Sequence, residues 1–279
     1  MMQIAFQGVA GAYSERAALQ FFSRTVINCR AFPDFQSVYR AVMRGEVKFG
    51  VLPIENSLTG SIHQNYDLLL KNKVTIVGEV KLKITHCLLT LRKVKLAEVR
   101  EIYSHPQALL QCAAFIRSLG NVASTPYFDT AGSARFVSES SRRDIAAIAS
   151  ASAAKEYGLT VAKTDIADHF HNYTRFIVVT REGGRQKIAA SVKNRGKTSI
   201  VFSLKSLPGA LYKALSVFAV RDIDLLKIES RPIAGKPWQY LFYLDFVTPK
   251  DPHAGKRAVE HLGELTAFLR VLGSYTAAR

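Results

Sequence analysis

The sequence is poor in cysteine and has no long apolar run, and each absence excludes a class of protein. Its 279 residues include only three cysteines, Cys29, Cys87 and Cys112, which are far apart and form no CxxC pair. Such a pattern indicates a reducing compartment and argues against a disulfide framework or a zinc site. No apolar run approaches the ~20 residues that a membrane span needs. We therefore expect a globular protein with no membrane partner.

The N-terminus also lacks the pattern of a targeting segment. Residues 3–6 are strand-like and follow Met1 and Met2 directly, with no charged region and apolar stretch before them. A secretory signal requires both of those parts. Together with the cysteine pattern, this predicts a cytoplasmic location.

Acidic residues are scarce relative to basic ones. The chain has 22 Asp and Glu against 38 Lys and Arg, which gives a formal charge of +16. This excess can indicate a nucleic-acid-binding protein, but the basic residues are spread along the chain without zinc-finger spacing or an RNP motif. A positive field also attracts small anionic substrates. We predict no nucleic-acid partner.

The hydrophobic pattern divides the chain in two. Up to about residue 180, strand-like and helix-like segments alternate, which predicts an α/β domain with a largely parallel sheet. A basic segment with glycines, 181–197, is typical of a linker. The pattern beyond it predicts a strand, a helix, two strands, a helix and a last strand, at 199–204, 208–221, 224–233, 239–246, 254–269 and 271–275. This βαββαβ order is ferredoxin-like.

Polar side chains follow several of the predicted strands. Glu55, Asn56 and Ser57 come directly after the apolar strand 49–54, and Ser104 follows the strand at 102–103. In α/β sheets, ligands bind beyond the carboxyl ends of the strands. Gln107 and Gln111 are four apart and share one face of the next helix. These residues indicate a ligand site, although turns favour Asn and Ser anyway.

Three further features have two interpretations each. The glycine-rich turn 8–15 either presents backbone N–H groups to an anion or is a tight turn with Ser14 as a helix cap. His105 is either a base or a structural residue at a helix start. His169 and His171 share a strand face, but the absence of a third ligand in view argues against a metal site.

Residues 172–179 begin as a polar cluster and end in an apolar run, which predicts a strand entering a buried sheet. In an extended chain, Thr174 and Arg175 point to opposite sides. Taken alone, the segment is as well explained by a strand start whose polar residues face water.

The motifs of the whole chain, in this order, resemble the prephenate dehydratase family with a C-terminal ACT domain. The matching segments are Gly11-Ala12-Tyr13-Ser14-Glu15, 51–57 with Gly60, 104–107 with Gln111-Cys112, Thr130-Ala131, 146–149, Asn172 with Thr174-Arg175-Phe176, Pro208-Gly209-Ala210-Leu211 and Glu229-Ser230-Arg231-Pro232. Ala12-Tyr13 replaces the Thr-Phe of many bacterial members. The segment 65–70 is similar to the branch that includes plant arogenate dehydratases.

This resemblance implies a two-lobed catalytic domain, 1–180, similar to type II periplasmic binding proteins. Its lobes would be about 1–80 with 163–180, and 81–162, and an ACT domain, 198–279, would follow. The implied reaction converts prephenate to phenylpyruvate, carbon dioxide and water in phenylalanine biosynthesis. Arogenate dehydratase, which yields L-phenylalanine directly, is the alternative within enzymes, and a non-enzymatic amino-acid sensor is the alternative outside them. Because aromatisation drives the reaction, we expect no cofactor and no metal.

The resemblance also implies roles for individual residues. Thr174 would donate a hydrogen bond to the departing hydroxyl, and Arg175 would hold a carboxylate of the small anionic substrate. The remaining implied catalytic and substrate-binding residues are Asn56, Gln107, Glu55, Ser57, Ser104, Gln111, Thr130, Asn172 and Phe176. L-phenylalanine would bind as an effector in a homodimer or homotetramer, at Gly209, Ala210, Leu211, Glu229, Ser230, Arg231 and Pro232.

Overall fold

The computed structural model describes residues 1–183 and 196–278. Most of the predicted linker 181–197, with Arg185, Lys187, Lys193 and Arg195, lies outside the described residues. The rest divides into two compact units. The first unit comprises Met1–Ile62 and Lys81–Phe176, and the second comprises His63–Val80 and the described residues from Ile177 on.

The first part of the chain builds a six-stranded sheet. Its elements in chain order are β1 (Met2–Gln7), α1 (Tyr13–Phe21), β2 (Ile27–Phe32), α2 (Phe35–Arg44), β3 (Phe49–Asn56), β4 (Gly60–Ser61), α3 (His63–Lys71) and β5 (Val74–Lys83). The strand β11 (Tyr173–Arg181) returns to this sheet, whose order is β2-β1-β3-β11-β5 with β4 paired to β3. β1 lies parallel to both β2 and β3, as expected for strands joined by helices. We call the part of this sheet in the first unit, with α1 and α2, the first lobe.

The middle of the chain builds a five-stranded sheet of order β10-β6-β9-β7-β8, which we call the second lobe. Its elements are β6 (Cys87–Thr90), β7 (Glu101–Ser104), α4 (Pro106–Gln111), α5 (Ala113–Ser118), β8 (Ala123–Pro126), α6 (Thr130–Glu139), β9 (Ile145–Ala149), α7 (Ala151–Glu156) and β10 (Thr160–Lys163). β7 is parallel to β8 and β9, whereas β6 pairs antiparallel with β9 and β10. The strands before residue 182 therefore form two sheets, not the single largely parallel sheet that their alternation with helices predicted.

The second unit contains the predicted βαββαβ order. Its elements are β12 (Gly196–Leu204), α8 (Ala210–Ala219), β13 (Leu225–Pro232), β14 (Tyr240–Val247), α9 (Pro252–Leu265) and β15 (Thr266–Thr276), with the sheet order β13-β14-β12-β15. α8 and α9 bury their apolar faces against one side of this sheet, around Phe218, Phe246 and Leu262. The predicted fold class, a two-lobed α/β domain followed by a βαββαβ unit, is confirmed.

Helix α3 packs on strands of the βαββαβ sheet. The ring of Tyr66 lies 4.7 Å from that of Tyr243, whose hydroxyl donates to the Tyr66 carbonyl at 2.8 Å. Arg270 donates to the Leu69 and Leu70 carbonyls at the end of the helix, where a cation is favourable. The segment 63–80, placed by sequence in the catalytic domain, thus groups with the second unit. The predicted domain boundaries stay a prediction.

Several predicted elements end elsewhere in the structure. The predicted helix 254–269 stops at Leu265, because residues from Thr266 on pair with β12 as strand β15. The apolar residues there suit a strand as well as a helix, and periodicity alone does not separate the two. The predicted helix that carries Gln107 and Gln111 ends at Gln111, and a second helix follows it after Cys112. β8 and β10 are short and largely exposed, so they lack the apolar run that identifies a strand.

Two further properties concern the described residues as a whole. None of their helices combines the length and the apolar character that crossing a membrane would take. Within residues 1–183 and 196–278, no three His, Cys, Asp or Glu side chains come together as potential metal ligands.

The loop after β1 packs tightly on the second lobe, and this contact can be tested. Gly11 has φ +82°, and a Cβ on it would lie 2.8 Å from the Ala153 Cα; Gly120 has φ +78° and open space. We expect Gly120→Ala to cost about 1 kcal/mol of unfolding free energy, from the left-handed backbone alone. Gly11→Ala should cost a further ~1–3 kcal/mol from overpacking. Urea denaturation measures both, and equal losses would mean that the contact with Ala153 does not constrain the loop.

Candidate active site

Asn56 and Thr174 come together at the edge of the first lobe. Asn56 ends β3, Thr174 is the second residue of β11, and these strands are neighbours in the sheet. The Asn56 Nδ2 donates to Thr174 Oγ1 at 3.0 Å. Both side chains are buried, with 9% and 8% of their surface exposed. The structure therefore brings together two of the three residues predicted as catalytic.

The backbone fixes which way the Asn56 carboxamide faces. Its Oδ1 accepts from the N–H groups of Leu58 and Thr59, at 3.0 and 3.1 Å. A backbone N–H can only donate, so the oxygen must lie on that side and the NH₂ group on the other. The NH₂ group then donates to Thr174 Oγ1 and, at 2.7 Å, to Asn172 Oδ1.

This orientation passes to two further carboxamides. Since Asn172 presents its oxygen to Asn56, its Nδ2 faces away and donates to Gln111 Oε1 at 2.9 Å. Gln111 ends α4 of the second lobe, so the hydrogen bonds run from one lobe to the other. We call Gln111, Asn172 and Asn56 the amide chain.

The amide chain leaves the Thr174 hydroxyl hydrogen available. Thr174 Oγ1 is an acceptor for Asn56, and in the part of the chain that the structure describes, no group accepts the hydroxyl hydrogen. A hydroxyl whose oxygen is held in this way is prepared to donate to a ligand. This is the chemistry that the family resemblance implies for Thr174.

Ser57 joins the turn after β3 to the start of β11. Its Oγ donates to the His171 carbonyl and accepts from the Tyr173 N–H, both at 2.9 Å. The Ser57 N–H donates to the Tyr173 carbonyl at 2.8 Å. These bonds fix the turn after β3 against the start of β11. They also engage the Ser57 hydroxyl, which was predicted to bind substrate.

Arg175 lies on the other face of β11 from Thr174. Successive residues of a strand point to opposite sides, and Arg175 pairs there with Glu55, whose Oε2 is 3.2 Å from Nε and 3.1 Å from Nη2. The guanidinium is largely buried. The structure therefore does not bring Arg175 to the Thr174 hydroxyl, and its contact with substrate stays a prediction. Phe176, on the Thr174 face, is a buried core residue.

The second lobe supplies the remaining predicted residues. Ser104 is fully buried and donates to the Ile148 carbonyl at 2.6 Å, which ties β7 to β9. Gln107 is exposed on the first turn of α4, and Thr130 begins α6. None of these three residues forms a hydrogen bond with the amide chain in the part of the chain that the structure describes.

Two cap residues sit beside these positions. His105 caps α4 by accepting from the Gln107 N–H, which favours its structural interpretation, and burial lowers the pKa of its imidazole. Asp129 caps α6 by accepting from the Gly132 N–H, and burial raises the pKa of its carboxyl.

Sequence analysis missed His86. Its imidazole is 3% exposed, and Nε2 lies 2.9 Å from Gln111 Oε1, at the end of the amide chain. Burial lowers the pKa of this imidazole, so it is held in the neutral form. A single histidine within a largely apolar segment carries no motif, and only the fold places it next to Gln111.

The predicted effector residues of the second unit fall into two groups. Gly209, Ala210 and Leu211 begin α8 and line an open depression of about 580 Å³ together with Trp238 and Tyr240.

The second group, Glu229-Ser230-Arg231-Pro232, lies on β13, where successive side chains point to opposite faces. Glu229 lies 3.1 Å from the His63 ring, and Arg231 lies 3.0 Å from Asp67, both on α3. Ser230 and Pro232 alternate with them and are exposed on the other face. Strand alternation thus divides a motif that is continuous in sequence.

The chain thus combines a two-lobed α/β fold with a βαββαβ unit. Its polar site lies beside the strand ends, as in α/β proteins that bind small ligands. The sequence model of the prephenate dehydratase family matches residues 4–184. An arogenate dehydratase/prephenate dehydratase of Arabidopsis thaliana is 47% identical over 98% of this chain and 72% of its own length. The chain belongs to the prephenate dehydratase family.

Two solved structures share the fold. The prephenate dehydratase of Arthrobacter aurescens, in complex with L-Phe, has a TM-score of 0.87 and 29% identity, over 99% of this chain and 90% of that one. A protein described as GqqA, a novel type of quorum quenching acylase, has a TM-score of 0.86 and 32% identity, over 99% and 98%. The acylase activity is that protein's.

These comparisons decide several of the sequence predictions. The resemblance to the prephenate dehydratase family is confirmed, and so is the enzyme class, a dehydratase. The prediction of a cytoplasmic location is wrong: the Arabidopsis relative at 47% identity and two others at 43% are chloroplastic.

The amide chain predicts a stability difference between two asparagines. Asn172 is buried and bonds to carboxamides on both sides, whereas Asn28 is exposed and donates to Gln3 Oε1 at 3.3 Å. Asn172→Leu would remove the buried hydrogen bonds to Asn56 and Gln111, each worth about 0.5–1.5 kcal/mol, and should cost about 1–3 kcal/mol. Asn28→Leu should stay within ~0.5 kcal/mol. Urea denaturation compares the two, and similar small losses would show that the amide chain is not stabilising.

Proposed function

We propose that this chain catalyses the decarboxylating dehydration of prephenate or arogenate in phenylalanine biosynthesis, with Thr174 as the residue that assists the departing hydroxyl. The observation that carries the proposal is the hydrogen bond from Asn56 to Thr174 Oγ1 at 3.0 Å, which leaves the hydroxyl hydrogen free to donate. Two Arabidopsis relatives that are named for both activities support both substrates.

The reaction asks little of the protein beyond orientation and a hydrogen bond. The bond between the ring and its carboxylate breaks, its electron pair enters the ring, and carbon dioxide leaves. The bond from the opposite ring carbon to the hydroxyl breaks at the same time, and the hydroxyl takes up one proton to leave as water. A threonine is too weak an acid to supply that proton outright, so its hydrogen bond strengthens as negative charge grows on the leaving oxygen. Solvent supplies the proton.

Substrate binding uses the predicted polar residues around Thr174. Gln107, Thr130 and Gln111 are not fully buried, and they orient the ring. The buried side chains of Ser104 and Asn172 and the engaged hydroxyl of Ser57 support the site without touching the substrate. The positive charge of the chain favours the approach of an anion. Arg175 binds a substrate carboxylate by exchanging it for the carboxylate of Glu55, its partner at 3.1 Å. That exchange also explains how a glutamate is tolerated near an anionic substrate, since Glu55 is paired.

The described part of 198–279 acts as an ACT regulatory domain that binds L-phenylalanine. The depression at Gly209, Ala210 and Leu211 supports this, as does the L-Phe complex of the Arthrobacter aurescens protein. Exposed apolar side chains around the depression, among them Leu207, Tyr212 and Trp238, support self-association into a homodimer or homotetramer.

Helix α3 is the element through which the effector acts. One face of β13 carries Ser230 and Pro232, and the other holds α3 through Glu229–His63 and Arg231–Asp67. His63 follows the turn that begins at Asn56 by only a few residues. A shift of β13 on binding phenylalanine therefore displaces α3 and, through the chain, the turn that holds the Asn56 carboxamide.

Replacing the Thr174 hydroxyl tests the proposed catalytic role. Thr174→Val keeps the shape and removes the donor, so kcat should fall by well over ~10-fold, as it should for Thr174→Ala. Thr174→Ser keeps the hydroxyl and should retain most of the activity. The assay follows phenylpyruvate from prephenate and phenylalanine from arogenate, and compares kcat/KM. Near-normal turnover by a folded Thr174→Val enzyme would refute the assignment.

The role of α3 is tested by the ion pair between Asp67 and Arg231. Asp67→Asn weakens it, so phenylalanine should still raise Tm while its inhibition falls several-fold, in line with coupling of about 1–3 kcal/mol. Glu260→Gln removes an exposed pair within α9 and serves as the control. Unchanged inhibition of Asp67→Asn would exclude this route, and a wild-type enzyme that ignores phenylalanine in both activity and Tm would exclude the effector itself.

A further inference from the structure

His86 lies where the chain passes from one lobe to the other. It stands between β5 and β6, and the nearby Ile84 N–H donates to the carbonyl of Asn172, just before β11, at 2.8 Å. The two connecting segments are therefore adjacent. The Tyr13 ring meets the His86 ring edge-on at 6.0 Å, and the Tyr13 hydroxyl donates to the Thr85 carbonyl at 2.7 Å. The imidazole is thus enclosed and held in one orientation.

The amide chain determines the protonation of His86. Gln111 Oε1 accepts from Asn172 Nδ2, and His86 Nε2 faces the same oxygen. A carboxamide oxygen can only accept, so Nε2 must carry a hydrogen. Nδ1 is buried and has no hydrogen-bond partner among the described residues, as suits the unprotonated nitrogen of a neutral imidazole. The lowered pKa of His86 agrees with this form.

We propose that His86 is a positioning residue for Thr174, which it orients through Gln111, Asn172 and Asn56. The amide chain then has a fixed donor at each end: the backbone N–H groups of Leu58 and Thr59 at one, and the His86 Nε2–H at the other. The proposal rests on the proposed function, because the consequence of the orientation is the availability of the Thr174 hydroxyl hydrogen.

Removal of the His86 donor takes away one of the two hydrogen bonds that hold the Gln111 oxygen, and the bond from Asn172 Nδ2 at 2.9 Å remains. Gln111 keeps its orientation but can shift, so Asn172 is held less firmly and its 2.7 Å bond with Asn56 Nδ2 weakens. The Asn56 oxygen stays with the Leu58 and Thr59 N–H groups, but its NH₂ group can tilt. The 3.0 Å bond to Thr174 Oγ1 then changes direction, and with it the Thr174 hydroxyl. The effect belongs to the transition state, where the hydroxyl acts, more than to substrate binding.

Three variants separate this role from a structural one. His86→Leu removes the donor, His86→Gln places an amide Nε2 near the lost one, and Tyr13→Phe removes the neighbouring bond to Thr85 without touching the amide chain. We expect His86→Leu to lower kcat about 10-fold with KM changed less than ~2-fold, and His86→Gln to recover most of kcat. Tyr13→Phe should lower Tm but keep kcat. Unchanged kcat in folded His86→Leu, or a kcat of His86→Gln as low as that of His86→Leu, would overturn the proposal.

A measurement on the unmodified protein does not depend on activity or on a variant that folds. The ¹⁵N chemical shifts of the His86 ring should show a protonated Nε2 and an unprotonated Nδ1 at neutral pH. An unprotonated Nε2 would overturn the proposal, whatever the kinetics. If the wild-type protein turned over neither prephenate nor arogenate, the proposed function would fail, while the shifts would still decide whether His86 donates to Gln111.

Discussion

The site depends on one constraint: the Asn56 carboxamide cannot be turned over. Two backbone N–H groups of the turn after β3 hold its oxygen, so its NH₂ group must face Thr174 and Asn172. This orientation determines which end of the Asn172 and Gln111 carboxamides donates and which accepts, and it also determines the tautomer of His86. In the proposed reaction, a weak acid such as threonine becomes useful only if its hydrogen points at the departing oxygen. Orientation set by backbone groups costs no reorganisation when the reaction occurs.

Sequence analysis found the parts of this arrangement but not their connections. Apolar runs located most strands, because a buried strand must be continuously apolar. The polar clusters at Asn56, Gln107–Gln111 and Thr174 were placed at strand and helix ends, where ligands bind in α/β folds. The boundary between α9 and β15 was wrong, since an apolar stretch after a helix suits either structure until its pairing with β12 is known. His86 was missed because its significance comes only from a contact with Gln111.

Two sequence motifs are divided by the geometry of the strands that carry them. In Thr174-Arg175, the hydroxyl faces Asn56 while the guanidinium pairs with Glu55 on the other side. In Glu229-Ser230-Arg231-Pro232, the charged residues hold α3 and the other two are exposed on the opposite face. Because side chains alternate along a strand, adjacent motif residues serve two surfaces at once. In the proposed regulation, β13 passes a change on its exposed face to α3 on the other.

Helix α3 groups with the βαββαβ unit, although the chain enters this helix directly from the turn at Asn56. A four-stranded sheet with helices on one side has a second face to cover, and α3 with Tyr66 and Asp67 packs against it. The helix is covalently continuous with the Asn56 turn and noncovalently attached to β13. In the proposed regulation, an effector that alters β13 acts on the one carboxamide whose orientation the amide chain depends on. The proposed regulation and catalysis then meet at Asn56, because the helix that packs on β13 follows directly after the turn that orients this carboxamide.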